Sequence, residues 1–221
     1  FGGGSFEFYI QNKYNFKIIS NDKFKPLYNF WNICKGEKNE LCKILYKNID
    51  TITKEKFVEI RNQIMTEEII LNQAVLFFII NRCSFSGATL SGGFSLQASK
   101  KRFTKSSIER INKLDLSNFT ISNCDFEDFI NKNKDQKILI FLDPPYYLQK
   151  KSKLYGKNGD MHEKFDHVKL FKCISKKKNW FMTYNNCDYI KKLYKNFKII
   201  ETAWSYGMNK SKKSSEIVII G

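Results

Sequence analysis

A carboxylate, two prolines and two tyrosines come directly after an apolar run in the stretch KILIFLDPPYYLQKK, residues 137–151. The prolines remove backbone donors and hold φ at about −65°, so the loop is stiff and its carbonyls remain free to accept hydrogen bonds. Asp143 adds a charged acceptor at the start of the loop. The pattern predicts a loop that accepts hydrogen bonds from a group outside it. A strand-ending turn capped by Asp143 is the alternative for an isolated Asp-Pro pair.

The apolar run before this loop predicts the element that positions Asp143. Residues 138–142 are five consecutive apolar residues, too few for a helix and too continuous for a half-exposed strand. We therefore expect a strand that is buried on both faces of a parallel sheet. Asp143 then lies at the carboxyl end of the strand, which is the edge where open α/β sheets bind their ligands.

A second group of residues that could bind a ligand lies near the start of the chain, in FGGGS. Glycines between a strand and a helix leave room for a ligand beside the backbone and present free amide donors. Asp22 ends the next predicted strand, at a distance from Gly4 that fits one β-α-β step. A carboxylate there is the expected partner of a ribose diol. FGGGS alone matches many turns, but together with Asp22 it favours a nucleoside cofactor over a structural loop.

Asp125 and Phe126 are a third candidate site with a polar and an aromatic side chain, in the turn that follows the strand predicted at 118–122. Asp125 is also well placed to cap a helix at 126–132, and the two roles are compatible.

Strands and helices alternate along most of the chain. Strands are predicted at 17–22, 118–122, 138–142, 179–185, 197–204 and 214–221, and a long apolar helix at 67–82. Residues 84–101 are rich in Gly and Ser without clear periodicity, which predicts an exposed functional loop. The alternation predicts an α/β fold with a doubly wound parallel sheet, and the last two strands predict an antiparallel hairpin at its edge.

Composition indicates the class of partner. The 221 residues include 38 Lys and Arg against 22 Asp and Glu, a formal net charge of +16, which favours nucleic acid. An A+T-rich genome is the alternative source of so many Lys, Asn and Ile residues. Clustering argues against it, since basic residues group at 100–105, 150–157, 176–178 and 210–213.

Six scattered cysteines and two histidines suggest neither a zinc site nor a disulfide framework. The apolar stretch at 69–83 is too short and too polar for a membrane span.

The chain resembles DNA adenine-N6 methyltransferases of the Dam-like, D12 class. FGGGS, the strand end at Asp22, NRCSFSG at 81–87, CDFED at 124–128 and DPPY occur in the order seen in that class, over nearly the whole chain. The resemblance implies a Rossmann-like S-adenosylmethionine-dependent methyltransferase sheet formed by residues 1–35 and 119–221. It also implies a mainly helical DNA-recognition insertion at 36–118. DPPY itself is shared with cytosine-N4 and some RNA and protein methyltransferases.

The resemblance also assigns roles. The carboxylate of Asp143 and the carbonyl of Pro144 are expected to accept hydrogen bonds from the adenine amine, with Pro145 stiffening the loop and Tyr146 stacking on a flipped base. Tyr147 is expected to pack. The expected S-adenosylmethionine contacts are Phe1, Gly2, Gly3, Gly4, Asp22, Asp125, Phe126 and Asp143. The expected contacts to duplex DNA are Arg82, Ser84, Lys100, Lys101 and Arg102. Solvent-exposed charge is the alternative for each basic residue.

Typical members of the class carry a cofactor-contacting helix and a central strand before the glycines. We therefore expect a partial chain, largely inactive alone, or a second polypeptide that supplies this segment. The resemblance further implies a cytoplasmic enzyme of a bacterium, or of a phage or virus in its host, and part of a restriction-modification system whose endonuclease is not a stable partner. An RNA or cytosine-N4 methyltransferase and a catalytically inactive DNA-binding relative remain as alternatives.

Overall fold

The structure is a computed structural model that describes residues 1–133, 135, 137–147, 165–205 and 213–221. These residues form two compact units, Phe1–Cys124 and Asp125–Gly221. The predicted basic clusters at 150–157 and 210–213 lie outside the described side chains. The described chain contains both helices and strands, which confirms a mixed α/β protein, but the strict alternation is interrupted by the consecutive helices between residues 25 and 112. The division into a catalytic domain and a recognition insertion stays a prediction.

The first unit consists mainly of helices with one pair of strands. Its elements are α1 Ser5–Tyr14, β1 Ile18–Asn21, α2 Lys25–Gly36, α3 Lys38–Lys47, α4 Lys54–Gln63, α5 Ile70–Cys83, α6 Leu96–Arg102, α7 Lys105–Asn112 and β2 Phe119–Ser122. β1 and β2 pair in parallel, with Ile18 opposite Phe119 and Asn21 opposite Ser122. The carboxyl ends of both strands therefore lie side by side.

Helix α5 is at the centre of this unit. Eight of its side chains are buried, among them Phe78, Ile79 and Ile80, and the helix packs against α2, α3, α4 and α6. Because α5 is apolar around most of its circumference, it is stable only when other helices cover it. The predicted buried helix is confirmed.

One polar network crosses the core of the first unit. Gln73 is 2% exposed, and its amide accepts a hydrogen bond from Asn29 at 2.6 Å. The same amide donates to the carbonyl of Ile64 at 2.7 Å and to that of Glu67 at 3.2 Å. Gln73 thus connects α5 to α2 and to the chain that enters α5, and its own polar atoms are satisfied.

The second unit is a sheet with helices beside its strands. Its elements are α8 Phe126–Lys132, β3 Ile140–Leu142, α9 His167–Ile174, β4 Trp180–Asn185, α10 Asp188–Leu193, β5 Lys198–Ser205 and β6 Lys213–Ile220. The strand order is β3-β4-β6-β5. β3 and β4 are parallel, whereas β6 is antiparallel to both β4 and β5. The predicted terminal hairpin is confirmed.

Strand β4 alternates between a buried and a half-buried face. Trp180, Met182 and Tyr184 are buried in the core of the unit, and the intervening Thr183 and Asn185 are half-buried. Successive side chains of a strand point to opposite faces. Thr183 and Asn185 therefore share the face away from Trp180, Met182 and Tyr184.

Two local predictions were wrong. β3 has only three residues, all half-buried, and the preceding Leu139 is 53% exposed, so the strand is not buried on both faces. Among the described strands β3 pairs only with β4, and an apolar run does not encode how many neighbours a strand has. Residues 96–101 are helical rather than loop, because Ser95 caps α6 by accepting a hydrogen bond from the amide of Ala98.

The described strands form one two-stranded and one four-stranded sheet, so the single doubly wound sheet stays a prediction. Among the described helices, none is both long enough and apolar enough to cross a membrane.

Substitution of Gln73 by Leu is expected to destabilise the protein, because it leaves the amide of Asn29 and two backbone carbonyls buried without their partner. The expected loss in free energy of unfolding is about 3 kcal/mol, measured by urea denaturation. Gln97→Leu, on the exposed side of α6, is the matched control and is expected to change the free energy of unfolding by less than about 0.5 kcal/mol. Equal stability of the two variants would contradict a structural role for the network.

Candidate active site

The glycine loop, residues 1–4, forms a tight turn that leads into α1. The amide of Gly4 donates to the carbonyl of Phe1 at 3.1 Å, and both Gly2 and Gly4 have positive φ, 54° and 71°. An added Cβ at Gly2 or Gly3 would meet no atom within 4 Å, whereas at Gly4 it would lie 2.8 Å from the ring of Phe8. Gly4 is therefore required by the turn, and Gly2 and Gly3 leave open space beside the backbone.

Asp22 ties the end of β1 to the glycine loop. Its Oδ2 accepts from the amide of Gly2 at 3.0 Å, and its Oδ1 accepts from the amide of Phe24 at 2.9 Å. Each carboxylate oxygen can accept a further hydrogen bond, so Asp22 keeps capacity for a hydroxyl group. The structure thus places Asp22 beside Gly2, as a nucleoside-binding role requires, and the ribose contact itself stays a prediction.

Two asparagines join the loops that follow β1 and β2. The side chain of Asn21 exchanges two hydrogen bonds with the backbone of Cys124, each 3.0 Å long. Asn123 donates to the carbonyl of Asp22 at 2.7 Å. Sequence reasoning missed both residues, although polar side chains at the carboxyl ends of two strands are the signal that could have found them.

Aromatic side chains of the first unit contact the glycine loop. The indole of Trp31 donates to the carbonyl of Gly2 at 3.0 Å, and its ring lies 4.9 Å from that of Phe1. The ring of Phe1 also packs on Phe119 at 5.6 Å. The predicted cofactor contact Phe1 thus has its ring in an aromatic cluster, and Trp31 was not identified from the sequence.

Asp125 and Phe126 begin α8 in the second unit. Asp125 accepts from the amide of Glu127 at 3.2 Å, which confirms the predicted helix cap. The ring of Phe126 packs on Phe165 at 5.2 Å, with the ammonium of Lys169 5.8 Å from its centre. A role of either residue in binding adenine stays a prediction.

The DPPY loop begins at the carboxyl end of β3, as predicted. Leu142 lies opposite Met182 in the parallel pair, so the next residues of the two strands, Asp143 and Thr183, are adjacent. The hydroxyl of Thr183 donates to Oδ1 of Asp143 at 2.6 Å, and the Asp143 side chain is exposed. The carboxylate is therefore oriented by one neighbour and open to solvent on its remaining acceptor positions.

The two tyrosines of the loop have different surroundings. The hydroxyl of Tyr146 donates to Oε1 of Glu216 at 2.7 Å. The ring of Tyr147 stacks on that of Tyr189, with centroids 4.2 Å apart and planes 16° apart, and its carbonyl accepts from Asn185 at 2.8 Å. The expected packing role of Tyr147 is confirmed. Thr183, Asn185 and Glu216 were missed, and the only signal is that they are polar residues beside apolar residues of their strands.

The predicted DNA contacts of the first unit differ in exposure. Ser84 is fully buried, and a guanidinium nitrogen of Arg102 donates to its carbonyl. The guanidinium of Arg82 lies 5.1 Å from the ring of Phe78, and burial, together with the charges of Arg102 and Arg110, lowers its pKa. Arg102 therefore helps to shape the loop after α5, and Arg82 is a partly buried cation.

Lys100 and Lys101 are exposed near the end of α6. The DNA-contact role of these lysines, of Ser84 and of both arginines stays a prediction.

Gly4→Ala is expected to lower the free energy of unfolding by about 2 kcal/mol, because alanine is strained at positive φ and its Cβ would press on the ring of Phe8. Gly3→Ala is the matched control, since its Cβ would meet open space, and a change below about 0.5 kcal/mol is expected. Thermal denaturation of both variants measures the difference, and a Gly4→Ala variant as stable as Gly3→Ala would contradict the turn geometry.

The sequence of the chain was compared with those of known protein families. The sequence profile of the D12 class N6 adenine-specific DNA methyltransferases matches residues 1–208. No curated protein matches the chain. The profile spans the glycine loop, the strand end at Asp22, the helices between β1 and β2, and the DPPY loop with its tyrosines. The chain therefore belongs to the family of D12 class N6 adenine-specific DNA methyltransferases.

Proposed function

We propose that this protein transfers a methyl group from S-adenosylmethionine to the N6 amino group of adenine in duplex DNA, after the base has been flipped out of the helix. The observation that carries the proposal is the Asp143 carboxylate, oriented by Thr183 at the carboxyl end of β3 and followed by Pro144, Pro145 and Tyr146. Membership of the family supplies the class of substrate.

The hydrogen-bond acceptors of the DPPY loop explain how the adenine amine would become reactive. The lone pair of an exocyclic adenine amine is delocalised into the ring, so the nitrogen is a poor nucleophile. Because Thr183 donates to one oxygen of Asp143, we expect the other oxygen and the carbonyl of Pro144 to accept hydrogen bonds from the two N–H groups of the amine. These hydrogen bonds favour a pyramidal nitrogen with an available lone pair. With the donor bound, the new N–C bond would form as the carbon–sulfur bond of the donor breaks, and the methylated amine would then lose a proton to solvent.

The donor supplies an electrophilic methyl group on a sulfonium. The residues of the glycine loop fit such a cofactor, because Gly2 and Gly3 leave open space beside the backbone and Asp22 keeps acceptor capacity for a ribose hydroxyl. Phe1 and Gly4 complete that loop. Asp125, Phe126 and Asp143 in the second unit are the further residues that we propose to contact the cofactor.

A base inside a duplex cannot reach the acceptors of Asp143, so the target adenine must leave the stack. Tyr146 follows the two prolines and offers an aromatic surface for it. We propose that residues 36–118 read the DNA, with Arg82, Ser84, Lys100, Lys101 and Arg102 as contacts, and that the described strands belong to one doubly wound sheet. A role in restriction-modification and a second polypeptide remain predictions.

The test is a methylation assay with a radiolabelled donor on duplex DNA, single-stranded RNA and duplexes in which adenine or cytosine is absent. Transfer only to adenine-containing DNA supports the proposal. Transfer to cytosine or RNA would replace it with one of the alternative substrates. DNA binding without binding of S-adenosylmethionine would indicate an inactive DNA-binding relative.

Asp143→Ala is expected to lower kcat by about a hundredfold to a thousandfold, because the amine loses a charged acceptor at the reacting nitrogen. The matched control is Asp128→Ala on the exposed face of α8, for which unchanged kcat is expected. Single-turnover methylation of an adenine-containing duplex measures both. Equal activity of the two variants would refute the mechanism.

Thr183→Val preserves the shape of the side chain and removes the hydroxyl that orients Asp143. We expect kcat to fall about tenfold, the value of one hydrogen bond to a carboxylate, with little change in stability. Thr120→Val, at an exposed position of β2, is the control. A kcat for Thr183→Val equal to that of the control would show that the carboxylate needs no support from β4.

A further inference from the structure

Glu216 is a buried carboxylate outside the glycine and DPPY motifs. It belongs to β6, is 6% exposed, and lies opposite Asn185 in the antiparallel pair of β6 with β4. Its Oε1 accepts a hydrogen bond from the hydroxyl of Tyr146 at 2.7 Å. A residue of the last described strand thus contacts the ring that follows the two prolines of DPPY.

A carboxylate in this position constrains its partner. Burial of a carboxyl group is costly unless its oxygens are hydrogen-bonded, so an acceptor as buried as Glu216 favours the geometry that keeps its donors. Rotation of the Tyr146 ring away from Glu216 would remove one of these donors. The hydroxyl end of the ring is therefore held by Glu216, while Pro144 and Pro145 restrict the backbone before it.

The same two strands hold the rest of the loop. Thr183 donates to the carboxylate of Asp143, and Asn185 donates to the carbonyl of Tyr147. Thr183 and Asn185 share one face of β4, and Glu216 is paired directly with Asn185. Three side chains from two paired strands therefore hold the loop at Asp143, Tyr146 and Tyr147. The distance between the Asp143 carboxylate and the Tyr146 ring follows from the register of the sheet.

We propose that Glu216 is a positioning residue for adenine methylation, which holds the ring of Tyr146 at the orientation in which a stacked adenine presents its amine to Asp143. The inference rests on the proposed function. Glu216 itself does not touch the base; it acts through the Tyr146 hydroxyl. The expected consequence is that loss of the carboxylate and loss of the hydroxyl have the same effect on catalysis.

The experiment compares Glu216→Leu, Glu216→Gln, Tyr146→Phe and the double variant Glu216→Leu/Tyr146→Phe. Glu216→Leu and Tyr146→Phe are each expected to lower kcat about tenfold, the double variant no further, and KM for S-adenosylmethionine is expected to stay within about twofold. Glu216→Gln keeps an acceptor oxygen and is expected to retain most of the activity. Glu201→Leu, an exposed carboxylate on β5 that pairs with Lys191, is the matched control with unchanged kcat.

A second readout separates positioning from a merely structural role. A duplex with 2-aminopurine at the target position reports stacking of the flipped base through its fluorescence, and urea denaturation reports stability. We expect altered fluorescence in Glu216→Leu and Tyr146→Phe, including under conditions where both proteins are fully folded. Loss of stability with unchanged kcat and fluorescence would overturn the inference, as would additive losses in the double variant.

Three further outcomes are distinguishable. If Glu216→Leu does not fold, Tyr146→Phe alone decides, because it keeps the ring and removes only the hydroxyl; an unchanged kcat overturns the inference. If the unsubstituted protein transfers no methyl group to adenine even when the helix and strand that typical family members carry before the glycines are supplied, the proposed function fails and the inference with it. Full activity of the unsubstituted protein together with full activity of Glu216→Leu overturns the inference alone.

Discussion

The register of β4 against its two neighbours is the constraint on which the DPPY loop depends. Pairing with β3 places Leu142 opposite Met182, and pairing with β6 places Asn185 opposite Glu216. A slip of one residue in either pair would turn the polar side chains to the opposite face of the sheet. The buried face of β4, with Trp180 and Tyr184 in the core, opposes such a slip because it would expose both rings to solvent. Core packing and loop geometry are thus fixed by the same alternation.

The first unit uses a similar principle at the ends of β1 and β2. There the parallel register brings Asn21 and Ser122 side by side, and the loop residues that follow exchange hydrogen bonds across the pair. Asp22 accepts from the backbone on both of its oxygens, just as Asp143 accepts from Thr183. In each unit a carboxylate directly after a strand is thus oriented by hydrogen bonds within the protein.

The sequence predicted the elements that local patterns encode. The helix at α5, the cap at Asp125 and the terminal hairpin depend on apolar periodicity and on the chemistry of neighbouring residues, and all three are observed. The exposure of β3 was mispredicted because it depends on pairing across the sheet, which a run of apolar residues does not contain. α6 was missed because it is short and buries only Ser99, so it has no apolar stripe.

The residues that hold the DPPY loop could not be identified from the sequence either. Thr183 and Glu216 are ordinary strand residues in sequence, and their importance arises from partners 40 and 70 positions away. Motifs identify the groups that meet a ligand, since their spacing is local. The residues that hold those groups come from other strands, and only the register identifies them.

The contact between Tyr146 and Glu216 also affects the order in which the DPPY loop and the terminal hairpin fold. β6 follows β5 along the chain but inserts between β5 and β4 in the sheet. During synthesis on the ribosome, the DPPY loop emerges well before the strand that supplies Glu216. The loop therefore obtains its final geometry only after the closing hairpin has docked, and a nascent chain lacking β6 has the motif without its support.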